Sequence, residues 1–437
     1  MSSPDDAGSP GLYRGLRRIE VVSLTLNNVI GAGIFAMPAA LAASAGRSSL
    51  VVLLVAFLLV SLIALCTVEV ASRYRVTGGP MYYASTAFGM RAGFIVGWLL
   101  YLSRLAAFGA IASTMLAYAA GVWPPLGSAL GRAAGITVFV AAIAAFNLRG
   151  VVHGARVSSL LMLAKGVPLV LLALVGLWLG GWRTLPPPVP HGLSDLTSAL
   201  LLAFFACMGF EQVAVVAGEA RDPQRDLPVG ILSAVAIIGA LYVLLMFACF
   251  ATVPDLAHSA RPLADAAKSL LGPIGATAMS LTAVFSCAGG LSVSMLVTPR
   301  VLYALADQGD LPPLLARVDP VRLTPAAAII TTAILVWLLT VSGTFIYLAT
   351  FSVIARMLMY ASTCVALITL RQRDGPAPVT IPLGTVWAVI AVLCSAAVLV
   401  KTPGVAVRDV SIAVLFGWVA RLLVRRHPPK QGMLDTA

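Results

Sequence analysis

Charge is scarce in this sequence: 11% of its 437 residues are Asp, Glu, Lys or Arg, 60% are hydrophobic, and the mean hydropathy is +0.97. A water-soluble domain of this size needs about a quarter of its residues charged to cover its surface. The shortage excludes such a domain, and the outer surface is expected to face lipid. Acidic residues are the scarcer sign, 17 against 29 Lys and Arg, for a net charge of +12. That excess invites a nucleic-acid reading. However, no basic cluster alternates with aromatics as a strand-binding groove would, and most basic residues sit in short loops between apolar runs. No nucleic-acid partner is expected; the cations are read as orienting helices.

Histidine is rarer still, and His153, His191, His258 and His427 are scattered through loops, so no metal site and no cofactor is expected. HExxH, Walker A and nucleophile-elbow patterns are absent, and no nucleophile with its base stands near a membrane surface, which argues against an enzyme. Six cysteines (Cys66, Cys207, Cys249, Cys287, Cys364, Cys394) all fall inside apolar stretches, where they read as small packing residues rather than a disulfide framework. The polar start, Met1 to Gly11 with Asp5 and Asp6, lacks the pattern of a cleavable signal.

What the chain has in abundance is long apolar runs. A spanning helix needs ~20 mainly apolar residues. Twelve runs are candidates: Ile19–Ala43, Ser48–Ser72, Ala92–Gly121, Ile136–Leu148, Val157–Gly180, Leu196–Ala217, Val229–Thr252, Ile274–Val297, Pro325–Ser342, Phe345–Leu370, Ile381–Lys401 and Val410–Val424. With the N-terminus inside, nineteen Lys and Arg fall in cytoplasmic segments and seven in external ones, leaving Arg104, Lys165 and Arg356 within spans. Both termini are therefore expected on the cytoplasmic side of a cell inner (cytoplasmic) membrane. The polar loop 182–195 divides the chain. Residues 1–18 form a cytoplasmic tail, 19–181 a first set of five helices, 196–370 a second set of five, 371–424 a terminal pair and 425–437 a second tail.

Two spans are interrupted. The first contains Asn28-Val-Ile-Gly-Ala-Gly-Ile-Phe35 followed by Met37-Pro38. Two glycines flanking an alanine weaken a helix, and Pro38 removes a further backbone bond. Unwound backbone is tolerated at that depth only where it lines a cavity or is buried in protein. Amides of Gly31, Ala32 and Gly33, at the start of a second half-helix, favour a carboxylate. The alternative is close helix packing through small residues. The sixth span contains Phe204-Phe-Ala-Cys-Met-Gly-Phe-Glu211, a mid-span glycine beside a carboxylate. An ionisable residue at that depth is a functional candidate. Interruptions at corresponding places in two helix sets point to an inverted-repeat transporter with a midplane site.

At these segments the chain resembles the amino acid–polyamine–organocation (APC) transporters, amino acid permeases in particular. The resemblance runs through Gly31-Ala-Gly-Ile-Phe35, Thr77-Gly-Gly-Pro80 with Ala87-Phe-Gly89, and Phe204 through Pro228. The last of these includes Ala217-Gly-Glu-Ala-Arg-Asp-Pro-Gln-Arg-Asp-Leu-Pro228. It continues through Pro299-Arg-Val-Leu-Tyr-Ala-Leu-Ala-Asp-Gln-Gly309 with Leu311-Pro312, and Thr324-Pro325. It implies an all-α polytopic membrane protein with a five-plus-five inverted-repeat transporter fold and two additional C-terminal helices, twelve transmembrane helices in all. It also implies an amino acid substrate. By the same resemblance the substrate carboxylate meets the amides of Gly31, Ala32 and Gly33, beside Ile30. The ammonium meets carbonyls freed at Phe205, Ala206 and Met208, Phe205 lids the substrate, and Glu211 takes part in gating on the inner side. Phe205 is otherwise a core or lipid-facing aromatic, and Glu211 otherwise the structural partner of a nearby base.

Lys165 stands isolated in the apolar stretch Leu163-Ala-Lys-Gly-Val-Pro168. Apolar surroundings disfavour its charged form, so it can load and release a proton in each cycle. The resemblance places it where related carriers bind sodium and proton-driven ones keep a lysine; the alternative is a fixed cation bonded to first-helix carbonyls. Ser103, Arg104 and Ala107 fall near the substrate region implied for the third helix. A buried guanidinium there favours an acidic substrate, or else Arg104 is a structural cation, as Arg356 is read to be. The small Ala106, Ala107 and Ala288 leave room for a modest side chain. With no unpaired acid near the pocket except Glu211, polyamines and arginine are disfavoured. The expectation is proton-coupled symport of a neutral amino acid by alternating access. Its rivals are an amino acid/amine antiporter, a non-transporting sensor, a channel and a membrane enzyme. The sequence leaves the oligomeric state open.

Overall fold

The computed structural model describes residues 18–74, 79–149, 155–178, 192–211, 223–319, 322, 324–402 and 404–426. Lipid offers no partner for backbone N–H and C=O groups, so an apolar chain satisfies them within helices. Among the described residues every regular element is helical: α1 (Arg18–Val29), α2 (Ala32–Ala45), α3 (Ser49–Ser72), α4 (Gly79–Phe88), α5 (Met90–Val122), α6 (Ala129–Leu148), α7 (Ala155–Trp178), α8 (Leu193–Cys207), α9 (Pro223–Thr252), α10 (Pro262–Asp307), α11 (Ala326–Ser342), α12 (Phe345–Asp374), α13 (Gly384–Val400) and α14 (Gly404–Arg426).

Among the described residues, six helical stretches are long and apolar enough to cross a membrane, or seven if the bent pair α13 and α14 counts as one. Three further apolar helices are shorter, at Lys165–Trp178, Asp195–Cys207 and Ala326–Ser342. The chain is a multi-pass membrane protein. Its outward faces carry bare hydrophobic side chains, among them Leu58, Phe146, Leu171, Phe285, Leu393 and Phe416, each more than half exposed, as a surface wetted by lipid requires.

The first expected span is two helices, α1 and α2; in the sixth, α8 ends at Cys207, and residues 212–217 of that expected span lie outside the described residues. Two helical segments lie outside the expected runs: α4, and the stretch of α10 before Gly272, whose φ of 66° bends the helix. Both are too short to span and lack the sustained apolar run that marks a crossing. The Thr77 end of the Thr-Gly-Gly-Pro segment, most of the 182–195 loop, residues 217–222 of the acidic loop and the tails apart from Arg18, Arg425 and Arg426 lie outside the described residues.

α5 runs through the middle of the bundle, packed along α10 and α12, while α2 packs on α8 and α1 on α9. One hydrophobic cluster joins α2, α3, α8, α9 and α12; another joins α5, α10 and α11 to the start of α2. All six cysteines are free, five of them buried and Cys394 half-buried. The breaks at Ile30–Gly31 and Met208–Gly209 therefore meet where these clusters adjoin.

Candidate functional site

The first helix ends at Val29 and the next begins at Ala32, with Gly31 extended at φ −117°, ψ −147°. The Gly31 amide turns back to donate to the Val29 carbonyl at 2.8 Å. The amide the sequence reading assigns to Gly31 is thus already used, and the start of α2 offers its N–H groups from Ala32 and Gly33 onward, which have no intrahelical acceptor. No side chain caps this end. Pro38 sits inside α2 without ending it, so the break belongs to the glycines.

The second break is sharper. α8 ends at Cys207, Met208 is extended, and Gly209 takes φ +120°, a left-handed conformation that favours glycine. The two breaks touch. A Cβ on Gly33 would stand 2.5 Å from the Cα of Ala206, and one on Gly209 would stand 3.0 Å from the carbonyl oxygen of Asn28. Tyr242, fully buried on α9, ties them together. Its hydroxyl lies 3.3 Å from the Val29 oxygen and 3.2 Å from the Ala206 oxygen, a shared donor for one carbonyl of each break. The Ala206 carbonyl, expected to meet the substrate, is therefore engaged within the protein, and Ala206 packs behind the cavity wall rather than in it.

Between the breaks lies a small cavity of about 90 Å³, part of it continuous with the outside. Ile30, Gly31, Ala32, Gly33, Arg104, Ala107, Phe205 and Met208 line it, which brings together eight of the expected residues. Ser103, Lys165 and Glu211 stand outside its lining, as do Ala106 and Ala288. Sequence reasoning missed Asn27, Asn28, Val29, Ile111, Ser286, Cys287, Gly290, Val293 and Ser294, and Arg356, which it read as structural, completes the wall. The Ser286 hydroxyl is buried there without a partner. Phe205 meets Phe345 edge-on at 5.8 Å, which holds its ring at the cavity margin.

Lys165 caps the first half-helix. Its ammonium donates to the carbonyls of Asn27 and Ile30 at 2.9 and 2.5 Å, filling two of the acceptors that the end of α1 leaves open. Glu211 sits at the far side of the second break with three partners. The Tyr360 hydroxyl donates to it at 2.6 Å, the Gly209 amide at 3.1 Å, and Arg356 Nη1 lies 3.3 Å away. Arg356 also donates through Nε to the Ser103 hydroxyl at 2.9 Å, and Ser352 donates to the Ser103 carbonyl. This chain of contacts locks α5, α12 and the residue following the break into one unit. On the α2 side, the Tyr118 hydroxyl donates to the Phe35 carbonyl at 2.8 Å and accepts from the Leu263 amide at 3.3 Å, closing that side of the cavity.

A cavity walled by the gap between α1 and α2 and by the end of α8, inside an apolar bundle, is the kind of site a membrane transporter carries. Comparison with known proteins gives the family. The chain belongs to the amino acid permeases, whose family profile matches residues 16–420. It is 28% identical to the serine/threonine exchanger SteT of Bacillus subtilis over 336 residues, covering 73% of this chain and 74% of the exchanger. It is 27% identical to the methylthioribose transporter of the same organism over 333 residues, 72% of each chain. To the vacuolar cationic amino acid transporter 4 of Arabidopsis thaliana it is 26% identical over 356 residues, 75% of this chain and 58% of that one.

Proposed function

We propose that this protein is a secondary active transporter moving an amino acid across the cytoplasmic membrane by alternating access. In this reading it has five-plus-five inverted repeats, a terminal helix pair, twelve spans and both termini inside. The observation that carries the proposal is the cavity between the breaks at Gly31 and Gly209, where unpaired amides of α2 face a zwitterion's carboxylate. The ammonium is received by the carbonyl end of α8 at Phe205 and Met208, where the helix leaves acceptors unmatched. Phe205 shields the bound substrate, and Glu211 with Arg356 and Tyr360 forms the inner gate. The relatives' names, which give serine and threonine, cationic amino acids and methylthioribose, support a small polar solute.

The coupling ion in this reading is the proton, held and released by Lys165 while it bridges Asn27 and Ile30. A second reading has a specific observation in its favour. A lysine whose ammonium already satisfies two helix-end carbonyls is also what a permanent cap looks like, and an antiporter exchanging an amino acid for an amine needs no separate proton site. Uptake by purified protein in proteoliposomes tests both. Amino acid accumulation driven by an imposed pH gradient supports symport. Exchange that ignores the gradient supports antiport. A protein that moves no amino acid in either mode contradicts the proposal.

A further inference from the structure

From the state of Arg104 we infer that the substrate is an amino acid carrying a second carboxylate, received by that guanidinium. The inference rests on the transporter reading above and refines its substrate.

Arg104 lies on α5 in the cavity wall, one turn before Ala107, and is 4% exposed. Its Nε is buried without a hydrogen-bond partner, and it belongs to none of the ion pairs among the described residues. The other deeply buried arginines are provided for. Arg356, 5% exposed, has Glu211 and Ser103; Arg421, 2% exposed, has Asp310. Arg104 alone among these three makes no ion pair of its own, although Arg356 and Glu211 stand near enough to act on its charge. Among the described residues no Asp or Glu lines the cavity, and Glu211 is engaged by Arg356, Tyr360 and Gly209.

A buried cation without a counter-charge is costly unless a ligand supplies one. The guanidinium is a planar fork of five donors that matches a carboxylate with two parallel bonds. A neutral amino acid brings one carboxylate, and the amides at the start of α2 already suit it. It brings nothing for Arg104. A substrate with a carboxylate on its side chain satisfies both centres at once. Gly31, Ala32 and Gly33 at the start of α2 line the same cavity as Arg104, so both centres address the same space. The expectation of a neutral substrate assumed a structural partner for Arg104, and the described residues provide none.

The test compares glutamate with glutamine and aspartate with asparagine, pairs that differ only in charge. The purified full-length protein is assayed by thermal shift and by uptake in proteoliposomes. The wild type is expected to take up at least one acid ~30-fold better than its amide, the scale on which a buried charge pair discriminates. Arg104→Gln is expected to invert that preference, losing the acid while still binding the amide, and Arg104→Lys to restore part of it. Amide binding by Arg104→Gln confirms that the variant is folded; if that variant does not fold, the wild-type preference decides alone. Neutral amino acids bound as well as or better than acidic ones overturn this inference while leaving the transporter reading intact. Binding and transport of no amino acid overturns both.

Discussion

Gly33 and Ala206 meet backbone to backbone: a methyl group on Gly33 would lie 2.5 Å from the Cα of Ala206 and 2.9 Å from its Cβ. The start of α2 and the end of α8 can approach this closely only because one partner has no side chain. The obstacle is main chain, so it cannot rotate away. Gly33→Ala is therefore expected to cost about 1–3 kcal/mol, the range for overpacking a tight interior, and to lower the thermal midpoint of the detergent-purified protein. An unchanged midpoint would show that the contact is looser than described.

Gly31 makes the opposite case. A Cβ there meets only the Val29 oxygen at 4.0 Å, so it points into open space. Gly31→Ala is expected to fold with a near-normal midpoint, and bulkier Gly31→Leu to insert yet fill the cavity and abolish substrate-induced stabilisation. The two glycines thus separate packing from binding, which a substitution at either alone cannot do.

Lys165→Ala removes the donor to Asn27 and Ile30. If the lysine carries the coupling proton, wild-type uptake rises when the outside is made acidic, and the variant loses that acceleration while retaining exchange of internal for external substrate. Initial rates across a pH series with the gradient imposed and collapsed provide the measurement. A variant with the wild-type pH profile would remove Lys165 from the coupling mechanism and leave it as a helix cap.

Glu211 and Arg356 form a pair with side chains 1% and 6% exposed. Glu211→Gln keeps acceptors for Tyr360 and Gly209 but strands the guanidinium, and removing one partner of a buried pair costs about 3–5 kcal/mol. The double variant Glu211→Gln with Arg356→Gln is expected to recover part of that loss. Equal destabilisation by the single and double variants would mean that the pair is not an energetic unit.

The α14 end is anchored in the same manner. Asp310 receives Arg421, stacked over Phe94 and Trp418 at 5.0 and 5.3 Å, and the half-exposed Arg425. Arg425→Ala should change the midpoint little, since exposed pairs contribute about 0–1 kcal/mol. Asp310→Asn should lower it several-fold more. Matching effects would place the anchor's strength in the exposed contact instead.

Much of this arrangement was legible in the sequence, for a local reason. A Gly-Ala-Gly run at mid-span and a glycine beside a glutamate announce broken helices wherever they stand, because the cost of an unpaired peptide group in lipid leaves few alternatives. Of the eight expected cavity residues, Gly31, Ala32 and Gly33 followed from the first break, and the others from the family resemblance. The rest depends on contacts between positions far apart in the chain. Nothing in the run around Tyr242 signals that its hydroxyl spans Val29 and Ala206, and Tyr360 lies 149 positions from the Glu211 it bonds. Arg104 looked like a cation awaiting a structural partner until Arg356 was found holding the nearby acid. α4 escaped notice because a ten-residue helix needs no spanning run of apolar residues.

The most direct test of the cavity between the breaks is substrate binding to wild type beside Gly31→Leu, measured as thermal stabilisation across the twenty amino acids. The expected result is that one or more amino acids stabilise the wild type and none stabilises the variant, although the variant alone melts at a similar temperature. Equal stabilisation of both proteins by the same amino acid would place the substrate elsewhere and contradict the account.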